Sequence, residues 1–209
     1  MNDIDGYLLA GGASSRMKRD KANLLLGGVT FVRRAAIALS AVVAAPERLF
    51  VVGNLEGNSF DLPILPDEFV GDSGDERKRG AIVGLHAALK NTKANWAAVL
   101  ACDLPFASGE LFEKLASFRD GNSDAVVPMQ NDGRAQPLCA LYRTEACLSV
   151  VEAVLDGEDW SLQNLLRRVK TRFVRFDEIS DLPRAEYFFF NVNTPEDYAA
   201  AQAALAKTL

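Results

Sequence analysis

Apolar residues fall along this chain in two alternating rhythms: short continuous runs, and longer stretches with helical spacing. The run IDGYLLA at 4–10 predicts a buried strand that stops at Gly11-Gly12. From Thr30, TFVRRAAIALSAVVAA places Phe31, Val32, Ala35, Ala36, Leu39, Val42 and Val43 on one helical face, and Pro46 closes that helix. RLFVVG (48–53) and LPILPD (62–67) predict two more strands, the second leading through Asp67 into the polar stretch EFVGDSGDERKRG. AIVGLHAALKN then reads as a helix, and WAAVLAC (96–102) as a strand closed by DLPF.

In the second half, SDAVVPM (123–129) and PLCALYR (137–143) predict strands joined by the polar turn QNDGRAQ. Helical stretches follow at 144–156 and 161–170, then TRFVRF and YFFFNVN as short strands. TPEDYAAAQAALAKTL has a strong helix start: Thr194 as N-cap, Pro195 at the first position, Glu196 and Asp197 in the first turn. No repeat, low-complexity segment or linker interrupts the chain, so residues 1–209 are expected to form one domain.

Nearly all-apolar strands alternating with helices predict an α/β fold, a parallel sheet covered by helices on both faces. Ligands of such open sheets bind beyond the carboxyl ends of the strands. Gly11-Gly12, Gly53-Asn54, Asp67 and Asp103 all follow predicted strands at that edge, so residues distant in sequence are expected to share one crevice.

Charge and composition narrow the ligand. A formal net charge of -5 supplies no basic field for nucleic acid or an anionic membrane, so a polyanionic ligand needs a local cluster of cations. Without a signal peptide or an apolar run approaching ~18 residues, the chain is expected to be cytoplasmic with reduced thiols and no membrane association. Cys102, Cys139 and Cys147 show no metal-ligand spacing, and Cys102 in its apolar strand reads as a small buried hydrophobe. With His86 as the single histidine, nucleophile–histidine mechanisms have one candidate base, and GLHAALKN places it on a helix in a structural or exposed role.

The segment after the first strand, GGASSRMKRDK, offers backbone N–H groups at two glycines together with Arg16, Lys18, Arg19 and Lys21. Phosphate oxygens are natural acceptors in such a loop. It matches neither Gly-x-x-x-x-Gly-Lys-Ser/Thr nor Gly-x-Gly-x-x-Gly, and a merely polar surface loop is the competing reading. Asp103, directly after a buried strand, adds a carboxylate suited to Mg²⁺, which prefers a carboxylate plus substrate phosphates to an all-protein cage. Asp103 as a turn or capping residue is the alternative, weakened because Ser108 is available to cap the next helix.

Six segments carry a resemblance: LLAGGASSRMKRDKANLLLGG, ILPD (64–67), GAIVGLHAAL (80–89), CDLPF (102–106), PLCALYR (137–143) and FNVNTPEDY (190–198). In this order they resemble the bacterial molybdenum cofactor guanylyltransferases, of the nucleotide-diphospho-sugar transferase superfamily. The resemblance implies a three-layer, Rossmann-like, mostly parallel open sheet. It implies transfer of GMP from GTP to the phosphate of molybdopterin-bound molybdenum cofactor, with release of pyrophosphate and no covalent enzyme intermediate. By position, Leu9, Ala10, Gly11, Gly12, Asn54, Asp67 and Gly80 would contact the nucleotide. Arg16 and Lys21 would bind the triphosphate and stabilise charge at the transferred phosphorus. Asp103 would hold Mg²⁺, and Asn191 and Asn193 would approach the reacting phosphates or the pterin unless they are ordinary turn residues. GTP and the molybdopterin-type cofactor are then the expected substrates. Transient contact with cofactor-insertion or molybdoenzyme proteins is expected, and no nucleic acid.

Two positions depart from the family: Lys18 replaces a glycine, and Gly80-Ala81-Ile82 replaces Gly-Pro-Leu. The related cytidylyltransferases carry Ala-Ala-Gly and Pro-Lys where this chain has Ala10-Gly11-Gly12 and Asp20-Lys21, which favours guanine. A sugar-phosphate nucleotidyltransferase fits a short chain ending in NVNTPEDY less well. A non-catalytic nucleotide-binding partner in molybdoenzyme maturation is the reading from another class.

Overall fold

The computed structural model describes residues 3–10, 21–53, 62–67 and 80–207. Its centre is a seven-stranded sheet built from β1 (Ile4–Leu9), β4 (Leu49–Val52), β5 (Ile64–Leu65), β6 (Trp96–Ala101), β7 (Ala125–Pro128), β8 (Cys139–Arg143) and β9 (Thr171–Val174). The strand order is β5-β4-β1-β6-β8-β7-β9. Strands β5, β4, β1 and β6 are mutually parallel, β7 is parallel to β9, and β8 runs antiparallel to both its neighbours.

Around it stand helices α1 (Phe31–Ser40), α2 (Ala81–Asn91), α3 (Gly109–Ser117), α4 (Thr144–Leu155), α5 (Leu162–Arg168) and α6 (Pro195–Ala206), with the two-stranded hairpin β2 (Leu25–Leu26) and β3 (Val29–Thr30). Side chains alternate across the central strands, so each strand feeds two cores. Leu8, Val51, Ala98 and Leu100 pack with Val32, Leu39 and Phe112 of α1 and α3. Tyr7, Leu9, Val52 and Val99 pack on the other face with Ile82, Leu85, Val151 and Leu165 of α2, α4 and α5. The mostly parallel sheet with helices on both faces agrees with the sequence reading.

A third cluster joins Leu24, Leu26 and Phe31 to Phe106, Val192, Ala201 and Ala204, tying the hairpin to α6. The hairpin turns at Gly27 and Gly28, with φ of 60° and 78°. Two successive positive φ values are the type I′ geometry that matches strand twist, and glycine adopts it without strain. The sequence reading did not separate this hairpin from its polar surroundings, because each strand has two residues.

Four details differ from expectation. Helix α1 ends at Ser40; the N–H groups of Val42 and Val43 both donate to the Leu39 carbonyl in a tightened last turn, and the two side chains are still buried. Ala38, three residues after Ala35, is buried, whereas Ala36 is only half-buried. Strand β5 is reduced to Ile64–Leu65 because flanking Pro63 and Pro66 cannot donate to a ladder. YFFFNVN is not a strand. Local turns take its backbone, with Phe188 N–H donating to Ala185 and Phe190 N–H to Tyr187. Its apolar side chains divide between two clusters: Phe188 joins the α1/α3 core, and Val192 joins the cluster at α6.

Candidate functional site

Strand register assembles the site. Leu9 pairs with Val52 on one side and Ala101 on the other, and Val52 pairs with Leu65. The chain therefore leaves β1, β4, β5 and β6 at one level, carrying Ala10, Gly53, Asp67 and Asp103 off the same sheet edge. Backbone bonds hold that edge: Ala10 N–H donates to Val52 at 2.9 Å, Gly53 N–H to Leu65 at 2.9 Å and Cys102 N–H to Leu9 at 3.1 Å. Because β8 is antiparallel, its beginning and the end of β7 lie here too, and Ala101 N–H donates to Leu138 at 2.8 Å.

Lys21 begins a single 3₁₀ turn, Lys21–Asn23, whose carbonyl accepts from Leu24 N–H at 3.1 Å. The cluster that joins Leu24 and Leu26 to α6 brings this turn against the loop before α6. Lys21 Nζ donates to Asn193 Oδ1 at 2.6 Å and lies 4.0 Å from Asp103 Oδ2. The loop is pinned to Asp103 by Val192 N–H, which donates to the Asp103 carbonyl at 2.9 Å. Its other end is held by the capping box of α6: Asp197 Oδ2 accepts from the N–H groups of Asn193 and Thr194, both at 2.9 Å, and Thr194 Oγ1 accepts from Asp197 N–H at 3.1 Å. The helix start read from the sequence thus fixes Asn193.

Burial pushes the Asp103 carboxyl above the ordinary aspartate range. The Lys21 ammonium, the Asp103 backbone N–H and the Asn191 amide oppose that shift. A partly desolvated carboxylate facing one ammonium attracts a cation strongly, since water screens it incompletely. Helix α3 does not use Asp103 as its cap: Ser108 Oγ accepts from Leu111 N–H at 3.3 Å, as the sequence suggested.

Lys21, Asp103, Asn191 and Asn193 are therefore brought together. Leu9 is buried at the end of β1, and Ala10 follows it at the shared edge. Asp67 stands two strands away, half-buried after β5. Gly80 is the extended N-cap of α2, whose first turn forms at Ala81 without the family's proline. Gly11, Gly12, Arg16, Lys18 and Asn54 lie outside the described residues. Among the described residues, no three metal-capable side chains cluster, and no helix is long and apolar enough to cross a membrane.

Two adjoining cavities open at this edge, the smaller of them onto Asp103. One of about 250 Å³ is lined by Asp103, Asn191, Ile82, Gln136, Trp160 and Gln163 among others. The second, about 640 Å³, shares Gln136, Gln163 and Asn191 with it and extends to Gln130, Arg134 and Phe189. The three glutamines, Arg134 and Trp160 were missed by sequence reasoning. The polar turn QNDGRAQ was the signal for Gln130, Arg134 and Gln136, and it is at the ligand edge because β7 runs parallel to β6 and β8 returns antiparallel; Trp160 and Gln163 lie outside that turn.

His86 lies 3.8 Å from Glu152 on the helical layer, and burial and the Lys90 charge lower its pKa against the pull of Glu152. Cys102, Cys139 and Cys147 are all buried. Burial pushes the Cys147 thiol up to about 12, the reverse of what a nucleophile needs.

Residues 6–172 match the MobA-like NTP transferase domain. The chain belongs to that family. Curated relatives agree over nearly the whole length of the MobA-like chain. It is 32% identical over 204 residues to a probable molybdenum cofactor guanylyltransferase of Pelotomaculum thermopropionicum, covering 97% of this chain and 93% of that one. It is 30% identical over 213 residues to the molybdenum cofactor guanylyltransferase of Rhizobium leguminosarum bv. trifolii, covering 96% and 92%. The crystal structure of molybdopterin-guanine dinucleotide biosynthesis protein A from Archaeoglobus fulgidus shares the fold, with a TM-score of 0.77 at 23% identity over 97% of this chain and 98% of that one. As a MobA-like NTP transferase, the chain is a nucleotidyltransferase with the fold of the nucleotide-diphospho-sugar transferases.

Proposed function

We propose that this protein transfers GMP from GTP to the phosphate of molybdopterin-bound molybdenum cofactor, giving the guanine dinucleotide form and pyrophosphate. The observation that carries this reading is Lys21 Nζ held 4.0 Å from Asp103 at the carboxyl edge of the sheet, beside a cavity large enough for a second substrate. An oxygen of the acceptor phosphate attacks the α-phosphorus of GTP. The new P–O bond forms as the bond to the β-bridging oxygen breaks, and pyrophosphate leaves with that electron pair. Such chemistry asks the protein for positioning and charge stabilisation.

Lys21 supplies a preorganised ammonium for the phosphates, oriented by Asn193. Arg16 would add a guanidinium, with the backbone of Leu9, Ala10, Gly11 and Gly12 along the nucleotide and Asn54, Asp67 and Gly80 further out. Asn191 and Asn193 would reach the reacting phosphates or the pterin. One partly buried carboxylate without a protein cage fits Mg²⁺ shared with substrate phosphates, and Asp103 is the residue that would hold it. The ion supplies neutralisation of phosphate charge when bound. We place the reaction in the cytoplasm, in one nucleotidyltransferase domain of residues 1–209, with transient delivery of product to cofactor-insertion or molybdoenzyme proteins.

Pyrophosphate release tests the reading. With molybdopterin-bound molybdenum and Mg²⁺, GTP should support release and CTP should not. Equal release from CTP would contradict guanine specificity. Nucleotide binding without any release would point to the non-catalytic partner.

A further inference from the structure

Five of the eight residues that line the larger cavity carry a side-chain carboxamide. Gln130 and Gln136 flank the β7–β8 turn, which is closed by Gln130 N–H to Arg134 at 2.8 Å and Gln136 N–H to Pro128 at 2.9 Å. Gly133, at φ 82°, makes the reversal. Gln163 projects from the first turn of α5, opposite the loop that carries Phe189, Asn191 and Asn193. Among the described residues, the side-chain amides of Gln130, Gln136 and Gln163 have no hydrogen-bond partner. No carboxylate lines this cavity among the described residues, and its cation is Arg134, paired with Asp132 at 2.6 Å on the surface.

A carboxamide offers two donors and one acceptor oxygen in a plane, the arrangement that pairs edge-on with a nitrogen heterocycle. Several unpaired amides beside one aromatic ring therefore favour a flat heterocycle with alternating donors and acceptors over an apolar ligand or an extended anion. The volume, about 640 Å³, is that of an ordinary small-molecule site. It lies on the β8/β7 side of Asp103, whereas Leu9, Ala10 and Asp67 lie on the β1/β4/β5 side. The nucleotide and this ligand would then approach Asp103 from opposite flanks.

We propose that Gln130, Gln136 and Gln163 are the specificity-determining residues for the acceptor, reading the pyrimidinone edge of its pterin in the larger cavity. The acceptor phosphate extends through the smaller cavity toward Asp103. This rests on the guanylyltransferase reading, and it assigns the second substrate to residues outside the family motifs.

The probe is 6-hydroxymethylpterin monophosphate, followed by its own fluorescence anisotropy, with GTP-induced thermal stabilisation measured on the same samples. The wild-type protein should bind the pterin saturably. Gln136→Leu/Gln163→Leu should bind it about tenfold more weakly or worse, as expected for two lost hydrogen bonds. Gln136→Glu/Gln163→Glu, which keeps shape but loses the donors, should weaken binding similarly. Stabilisation by GTP should persist in both double variants, which also reports that they fold. The proposal is overturned by equal pterin affinity in the variants, by no saturable binding to wild type, or by loss of the GTP effect in folded variants, which would assign the cavity to the nucleotide. Failure of GTP to stabilise even the wild-type protein would instead overturn the guanylyltransferase reading on which the proposal rests.

Discussion

Lys21 Nζ meets Asn193 Oδ1 at 2.6 Å across 172 positions of sequence, and both lie at the level of Asp103. The contact fixes where the ammonium points before any nucleotide arrives, and the bond from Val192 to Asp103 fixes the distance to the carboxylate. Removing the acceptor frees a long, flexible side chain. Asn193→Ala should therefore lower kcat/KM for GTP transfer by about 10–100-fold, the range for losing an orienting partner, with little change in melting temperature. Steady-state kinetics and a thermal melt on one preparation check this.

Asp197 acts one step further out. Its carboxylate accepts the N–H groups of Asn193 and Thr194, and those bonds hold its pKa below the usual carboxylate range. Asp197→Ala should reduce kcat by about tenfold through misplacement of Asn193, and Asp197→Glu should recover less than Asp197→Asn, because the longer side chain overshoots the capping geometry. Full activity in Asp197→Ala would show that the capping box is needed for the helix alone.

His86 should be dispensable for turnover and visible in stability. Burial lowers its folded-state pKa, so the unfolded chain takes up this proton first, near the ordinary value of about 6.5. The stability it contributes is present above that pH and is lost as pH falls below it. His86→Gln should keep kcat within about twofold, since no proton transfer is assigned to it. It should also flatten the fall in melting temperature between roughly pH 7.5 and 5.5.

At the opposite end of β1, Asp5 provides a structural control. It is buried and accepts from Arg48 Nε at 2.6 Å and from the N–H groups of Lys93 and Ala94 at 2.8 and 3.2 Å. Asp5→Ala should cost about 3–5 kcal/mol, the usual penalty for breaking a buried charged pair, and lower the melting temperature on the order of 10 °C. Turnover measured well below that temperature should be unchanged, because Asp5 lies at the amino end of the strand that carries Leu9 to the site.

The sheet was legible because its central strands are buried on both faces and read as apolar runs: IDGYLL, LFVV and WAAVLA all form ladders within a residue of expectation. Helix α6 was equally legible from Thr194 and Pro195, since a cap is a local device. YFFFNVN failed because aromatic residues favour strands only when a neighbouring strand is there to pair with; here Phe188 and Phe189 pack into one cluster and Tyr187 and Phe190 against another. Gln130 and Gln136 were missed for a topological reason: the short turn makes β7 and β8 an antiparallel pair, but nothing local says that β7 runs parallel to β6, which puts that turn at the ligand edge. Gln163, on α5, carried no signal of its own. Lys21 was read from the sequence as one of several cations for phosphate and Asp103 as a carboxylate suited to Mg²⁺, and the family resemblance singled both out; their pairing was left open.

Turnover of Asp103→Asn is the most direct test of the site's central claim. The substitution keeps shape and hydrogen bonding but removes the charge proposed to hold Mg²⁺. Transfer from GTP at low Mg²⁺ should fall by roughly 10²–10³-fold. Melting temperature on the same preparation should move by no more than about 1 kcal/mol of stability implies, because Ser108 caps the next helix and Asp103 does not. Near-normal turnover at low Mg²⁺ would contradict the account, leaving Asp103 as a turn residue.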